Sequence, residues 1–473
     1  MLFANFNVRL YAFNFQPRSF TMPKLSRREA LHLISQVVGS SLFFPGCLPV
    51  KTESRLKKNT KNPSSIVYRS VNGTPVQNMD RVLMLMGGIE TIIGPDDIVC
   101  IKPNLQWWNQ GAPNIAAVNY LIEMIFNRPG GFGGEVILAE NNHRGNRPWE
   151  MGGWAQTFVR NSDCECIHYN ALVHRLKHRF GDRFTASHLI DIKAGGRRVY
   201  SPSDGPGYVY CDGTGGNPLL KIDNFQSGDQ KRETIMSYPI LKTDRGTIID
   251  FKKGIWEKNA YSSRPFRFIN FAAINHHSFY CGATASIKNY MGIVDLSGGP
   301  DNHKDGRMIG DYYNFHTFPF DHWDEGPVRG IVGYAIGYFM HSIRTADLNF
   351  ITAHWCGLAS RTETPVAEAK TIMASRNPVA LDYHASKYVL YPNSTIPFHN
   401  PDKTHLPLFQ YMAMCAKQTG FGLDEKHTRV ESFDFKNNTM QEIENLQVKG
   451  EKIWGNNYKS LLKHFLLHII KKG

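Results

Sequence analysis

The chain has 473 residues, 42% hydrophobic and 20% charged, with 41 Gly and 25 Pro, a composition that excludes a disordered chain and a helical bundle and allows one to three domains. Of its net charge of +13, residues 1–47 carry +4, and the rest is scattered without a basic stripe, zinc-finger spacing or RNP-like aromatic pattern, so nucleic acid is not an expected partner. None of the eight cysteines forms a C-x-x-C pair, and Cys164 and Cys166 are separated by the single residue Glu165, one short of the usual chelating spacing, which argues against an iron–sulfur cluster or a zinc ribbon.

Residues 1–47 read as a twin-arginine export signal whose true start is Met22. A basic opening, the pair Arg27-Arg28, the modestly apolar stretch Ala30–Phe44 and then Pro45-Gly46-Cys47 follow in the order such signals use. His32, Ser35 and Gln36 interrupt the apolar stretch, which is too short to span a bilayer, so the mature chain is expected to have no transmembrane helix. The export machinery is then a partner and the location periplasmic or otherwise exported, with lipid anchoring if Cys47 is acylated. The alternative is an amphipathic surface helix with an incidental arginine pair. Residues 48–64 are basic and polar and read as a linker.

From Ser65 the pattern alternates: strand Ile66–Arg69, helix Asn78–Gly87, strand Asp97–Lys102, helix Ala116–Phe126, strand Glu135–Glu140, helix Trp154–Arg160 and strand Glu165–Tyr169. Such alternation predicts an α/β fold with a mainly parallel sheet and helices on both faces. Residues 175–262, rich in Gly, Pro and Asp, predict an inserted loop-rich or antiparallel subdomain. Beyond it come a strand Phe266–Ala273, a helix Cys281–Ile293, a polar loop 297–327, a helix Val332–Arg344, strands Asp347–His354 and Lys370–Ser375, and a helix Val379–Leu390. The α/β domain is set at 65–430. The extension 431–473 holds an amphipathic helix, Tyr458–Lys472.

Chemistry gathers where these strands end. Lys102 and Asn104 flank Pro103, Glu140 closes the third strand, and Asn275-His276-His277 interrupts the chain after Ala273. Lys288 and Asn289 sit in a helix of small residues, and Arg376 follows a strand and precedes a helix carrying Asp382. If every strand runs the same way, these groups meet in one crevice at the carboxyl edge of the sheet. Lys102, Asn104, Lys288, Asn289 and Arg376 are then the expected substrate-binding groups, and His277, Glu140 and Asp382 the acid–base candidates. A lysine buried at 288 either meets a carboxylate, with Asp295 or Asp382 the expected one, or awaits an anionic ligand. A divalent metal is compatible with His276, His277, Asp295, Asp301 and His303, although no known ligand spacing is present and a solvated acidic loop explains the cluster as well.

Four segments taken in order, Ile101-Lys102-Pro103-Asn104, Ile269-Asn270 leading to His277, Lys288-Asn289 with Met291-Gly292, and Ser375-Arg376-Asn377-Pro378-Val379-Ala380-Leu381-Asp382, resemble the family called domain of unknown function 362. The resemblance spans roughly residues 65–425. Many relatives carry a lysine where this chain has Asn275, and many carry ferredoxin-type cysteines that this chain lacks, so the resemblance implies no fused cluster here. It implies no defined activity either. The residues support two readings: an exported enzyme acting on a small anionic or polar substrate, or a non-catalytic periplasmic protein that binds a ligand or partner in the same crevice.

Overall fold

The computed structural model describes residues 65–156, 160–161, 168–227, 230–277, 281–296, 331–423 and 425–441. The expected export signal 1–47 with Cys47, the linker 48–64, the helix Tyr458–Lys472, Cys164, Cys166, Asp301 and His303 lie outside them. Among the described residues no helix is long and apolar enough to cross a membrane.

The fold is mixed α/β around a nine-stranded sheet. From one edge to the other its strands are Thr439–Gln441, Thr428–Asp434, Ser65–Val71, Val366–Ser375, Leu348–Gly357, Phe266–Ala273, Ile98–Pro103, Glu135–Glu140 and Phe184–His188. The last five are mutually parallel. Of these, Ile98–Pro103 and Glu135–Glu140 are apolar runs buried along their whole length. Alternate residues enter different cores: Cys100, Ile137, Phe268 and Ile351 one, Val99, Val136, Ile269 and Phe350 the other. The second core takes in the helices Pro75–Leu85, Ile115–Phe126 and Tyr169–Phe180 through residues such as Val82, Leu121 and Leu172. Local sequence starts the first two. Thr74 and Gln77 form a capping box with Pro75 at the first turn, and the Asn114 side chain accepts from the Ala117 amide.

The first core takes in helices Ile331–Ser342, Pro378–Ala385 and Pro407–Thr419, and with them a second, six-stranded sheet. That sheet runs Ala260–Tyr261, Gly254–Glu257, Ile248–Asp250, Ser237–Lys242, Gly207–Tyr210, Arg198–Val199, and only its last pair is parallel. Phe251 carries it onto the large sheet, its ring 4.8 Å from that of Phe268.

Several expected elements fall differently. The helix Tyr169–Phe180 and the edge strand Phe184–His188 belong to the large sheet unit, so the second sheet starts only at Arg198, later than residue 175. The boundary at 430 falls inside the strand Thr428–Asp434, which pairs in parallel with Ser65–Val71. Cys281–Ile293 is not one helix. Ala283–Thr284 pairs with Asn275–His276, an α-helical turn covers Ser286–Asn289, and a 3-10 turn covers Tyr290–Ile293. Val366–Ser375 runs antiparallel to Leu348–Gly357, because the connection 358–365 is too short for a crossover. The five described cysteines Cys100, Cys211, Cys281, Cys356 and Cys415 are all buried and free.

Candidate functional site

Register places Lys102, Asn270, Asn349 and Ser375 side by side across four adjacent strands. A row of polar side chains inside a sheet has to be satisfied from above, and the turn Ser286–Asn289 does that. Asn289 Oδ1 accepts from Lys102 Nζ at 2.5 Å, while its Nδ2 donates to the Lys102 carbonyl at 3.1 Å and to Asn270 Oδ1 at 2.8 Å. Asn270 Nδ2 then donates to the Ser286 carbonyl and to Asn349 Oδ1, and Asn349 Nδ2 to the Ser375 carbonyl. Asp382 holds the start of the turn. It accepts from the amides of Ser286 and Ile287 at 2.8 and 3.0 Å and from Ser286 Oγ at 2.5 Å. Burial pushes its carboxyl up to about 7 against those three donated bonds.

Lys102 Nζ also pairs with Glu140 Oε2 at 2.5 Å, and both side chains are almost fully buried. Burial pushes the ammonium down and the carboxyl up, so each favours its neutral form more than it does in water. Around this pair opens a pocket of about 410 Å³, its mouth included, lined also by Asn104, Trp107, His143, Lys288 and Arg361. It lies at the carboxyl ends of Ile98–Pro103 and Glu135–Glu140, where open α/β sheets place ligands.

Lys288 is 7% exposed, and the contact its Nζ makes is with Met291 Sδ at 3.3 Å. Of the two carboxylates expected from sequence, neither Asp295 nor Asp382 pairs with it. Asp382 is committed to the turn, and Asp295 accepts from the Tyr210 hydroxyl of the second sheet and from the Ile192 amide. Burial lowers the Lys288 ammonium to about 8, with the cations Arg361 and Lys102 adding to the effect. Arg361 likewise has no carboxylate within ion-pair distance among the described residues. Its guanidinium lies 4.8 Å from the Trp107 ring centroid, and that of Arg144 lies 4.2 Å from it.

His143 completes the wall. Its backbone is left-handed, φ +54, and this turns the ring so that Nδ1 meets Asp191 Oδ2 at 2.9 Å and Nε2 the Met291 carbonyl at 3.0 Å. Asn141 Nδ2 donates to Asp191 Oδ1 and to the hydroxyl of Tyr208, so the second sheet braces the pair.

The structure thus brings Lys102, Asn104, Glu140, Lys288 and Asn289 to one pocket, with Asp382 beneath it. Three expected site residues fall elsewhere. Arg376 is exposed one residue beyond Ser375, three strands away from Lys102, and lines a separate groove with Tyr68 and Phe421. His277 faces Cys281, Nδ1 to Sγ 3.5 Å, and His276 pairs with His399, Nδ1 to Nε2 3.1 Å. No group of three or more His, Cys, Asp or Glu suited to a metal occurs among the described residues. Sequence reasoning missed His143, Asp191, Arg361 and Trp107. Only His143 carried a local signal, standing in the polar run Glu140–Arg144.

Residues 264–387 match the family model described as Domain of unknown function (DUF362). The matched segment carries Asn270, His277, Lys288, Asn289, Gly292 and Asp382, and the fold joins to it Lys102 and Glu140 from outside the match. Comparison with curated proteins and with solved structures finds no match.

Proposed function

We propose that the protein is an enzyme acting on a small anionic substrate held in the pocket at the strand ends. The observation that carries this reading is the charge balance. Among the described residues Lys102, Lys288 and Arg361 line the pocket against one carboxylate, Glu140, which Lys102 already engages. A buried ammonium beside a thioether is costly, and an anionic ligand removes the cost. A planar guanidinium with no carboxylate partner suits a carboxylate or phosphate in the same way. The His143–Asp191 pair and the Lys102–Glu140 pair supply groups that hold or move a proton, which supports an enzyme over a passive binder.

The test is thermal unfolding of the full chain with phosphate, sulfate, propionate and succinate. At least one should raise Tm, as any ligand specific to the folded state must. Lys288→Met keeps the apolar stem and should weaken that ligand by about tenfold to a hundredfold, the worth of a charged hydrogen bond. No shift with any anion, or an equal shift in the variant, refutes the reading.

Export is proposed from sequence alone. Residues 22–47 combine the arginine pair, the weak apolar run and Cys47. A reporter fused behind them should leave the cytoplasm, and changing Arg27→Lys together with Arg28→Lys should retain it there. A reporter that stays inside with both arginines intact would remove the proposal.

A further inference from the structure

We propose that Lys288 is a carbonyl-trapping amine that forms an imine with a small 2-oxo acid whose carboxylate lies against Arg361. This rests on the anion-binding reading and makes it specific.

Two lysines line the same pocket and are treated differently. Lys102 has Glu140 at 2.5 Å and Asn289 at 2.5 Å, two oxygen acceptors for its Nζ. Lys288 is equally enclosed, yet its Nζ meets a thioether, and thioether sulfur is a weak acceptor that does not balance a charge. A lysine needed only for its charge gains nothing from that setting. A lysine needed as a nucleophile must be neutral for part of the time, and desolvation next to other cations is how an amine is kept so. Burial together with Arg361 and Lys102 acts in that direction here.

Arg361 fixes which carbonyl compound fits. A guanidinium that lines the pocket with no carboxylate in ion-pair distance among the described residues can receive one bidentately. A carbonyl next to that carboxylate would stand near the amine, and a small 2-oxo acid has this arrangement.

The step balances without an oxidant. The neutral amine attacks the carbonyl carbon, so a C–N bond forms as the C–O π pair moves to oxygen. The nitrogen's proton moves to that oxygen to give the carbinolamine. Glu140, which lines the same pocket, takes the proton that the Lys288 ammonium gives up before attack and returns it to the carbinolamine hydroxyl. The nitrogen lone pair then forms C=N as the C–O bond breaks, and water leaves. Overall an ammonium and a ketone become an iminium and water. The iminium withdraws electrons from the neighbouring carbon, which places the protein among enzymes that form or break a bond there.

The experiment incubates the full chain with pyruvate or glyoxylate, reduces it with sodium borohydride and maps the adduct by peptide mass spectrometry, with propionate-induced Tm shifts measured in parallel. The expected result is a near-stoichiometric reduced adduct on the peptide carrying Lys288, absent in Lys288→Arg, which keeps the cation but not the nucleophile. Mapping on the wild-type chain decides the matter even if the variant folds poorly. A propionate shift with no Lys288 adduct from either carbonyl acid overturns the imine and leaves the anion reading standing. Adducts confined to exposed lysines overturn it as well. No adduct and no shift with any anion overturns both.

Discussion

A Cβ on Gly292 would run into Glu140 Oε1 and into Nζ and Cε of Lys102. The residue therefore needs to be glycine for reasons of space, since its φ lies outside the left-handed region. The Gly292 carbonyl also accepts from the Asn141 amide at 2.8 Å, so the turn cannot simply swing away. Gly292→Ala should force the buried Lys102–Glu140 pair apart and cost roughly 1–3 kcal/mol, the usual penalty for overpacking a filled interior. Urea unfolding checks the stability, and the anion-induced Tm shift should shrink with it. Full stability with an intact shift would show that the pair has slack the geometry does not reveal. The same pair explains why Lys102 was readable as a site residue while its partner choice was not. Pro103 marked the strand end locally, but Asn289 arrives from 187 positions later in the chain.

Element by element, what could be read from sequence was whatever local pattern decides. Ile98–Ile101, Val136–Ala139 and Phe266–Ala273 are continuous apolar runs, and the structure makes them neighbours in a parallel array. The small-residue stretch after His277 was located, yet its helix was placed too early. Ala283–Thr284 is taken by pairing with Asn275–His276, and the helical turn begins only where Asp382, from a distant helix, caps it. A cap from outside leaves no mark on the local sequence. The strand carrying Arg376 shows the opposite case, a signal present and overlooked. With strands placed at Asp347–His354 and Lys370–Ser375, the gap looked long enough for a crossover. The true ends, Gly357 and Val366, leave only a hairpin connection, which reverses the strand, and Arg376 then lines a groove separate from the pocket. Asp191 was hidden because the edge strand Phe184–His188 had been read as part of the insertion, so the loop after it was not expected near Glu140.

For the molecule as a whole, histidines kept neutral in the fold set the response to acid. Burial holds His188, His276 and His384 down at about 4 and His399 well below its ordinary value. In the unfolded chain each titrates near 6.5, so between about 6.5 and 4 the unfolded state binds protons that the folded state refuses. Their contribution to stability is complete above about 6.5 and is lost as pH falls toward 4. Asp382, raised to about 7, works the other way, since its folded form takes up a proton first and gains stability as pH falls from 7 toward 4. Glu140, raised to about 8 by burial, acts as Asp382 does, so four groups stand against two and a net loss remains, each group worth roughly 1.4 kcal/mol per pH unit while fully engaged. The urea midpoint should therefore fall steadily below about pH 6.5. His384 isolates the effect. Neither ring nitrogen has a hydrogen-bond partner among the described residues, and the ring stacks on Tyr388 at 5.4 Å with Glu425, Lys387, Arg69 and Asp402 as the charges around it. His384→Phe keeps the stack and removes the proton site. The variant should match or exceed the wild type near pH 7.5 and gain on it progressively toward pH 5, so that its midpoint falls less steeply. Parallel curves for the two proteins across that range would show that His384 is not held neutral by the fold and would shift the acid response onto the other three histidines.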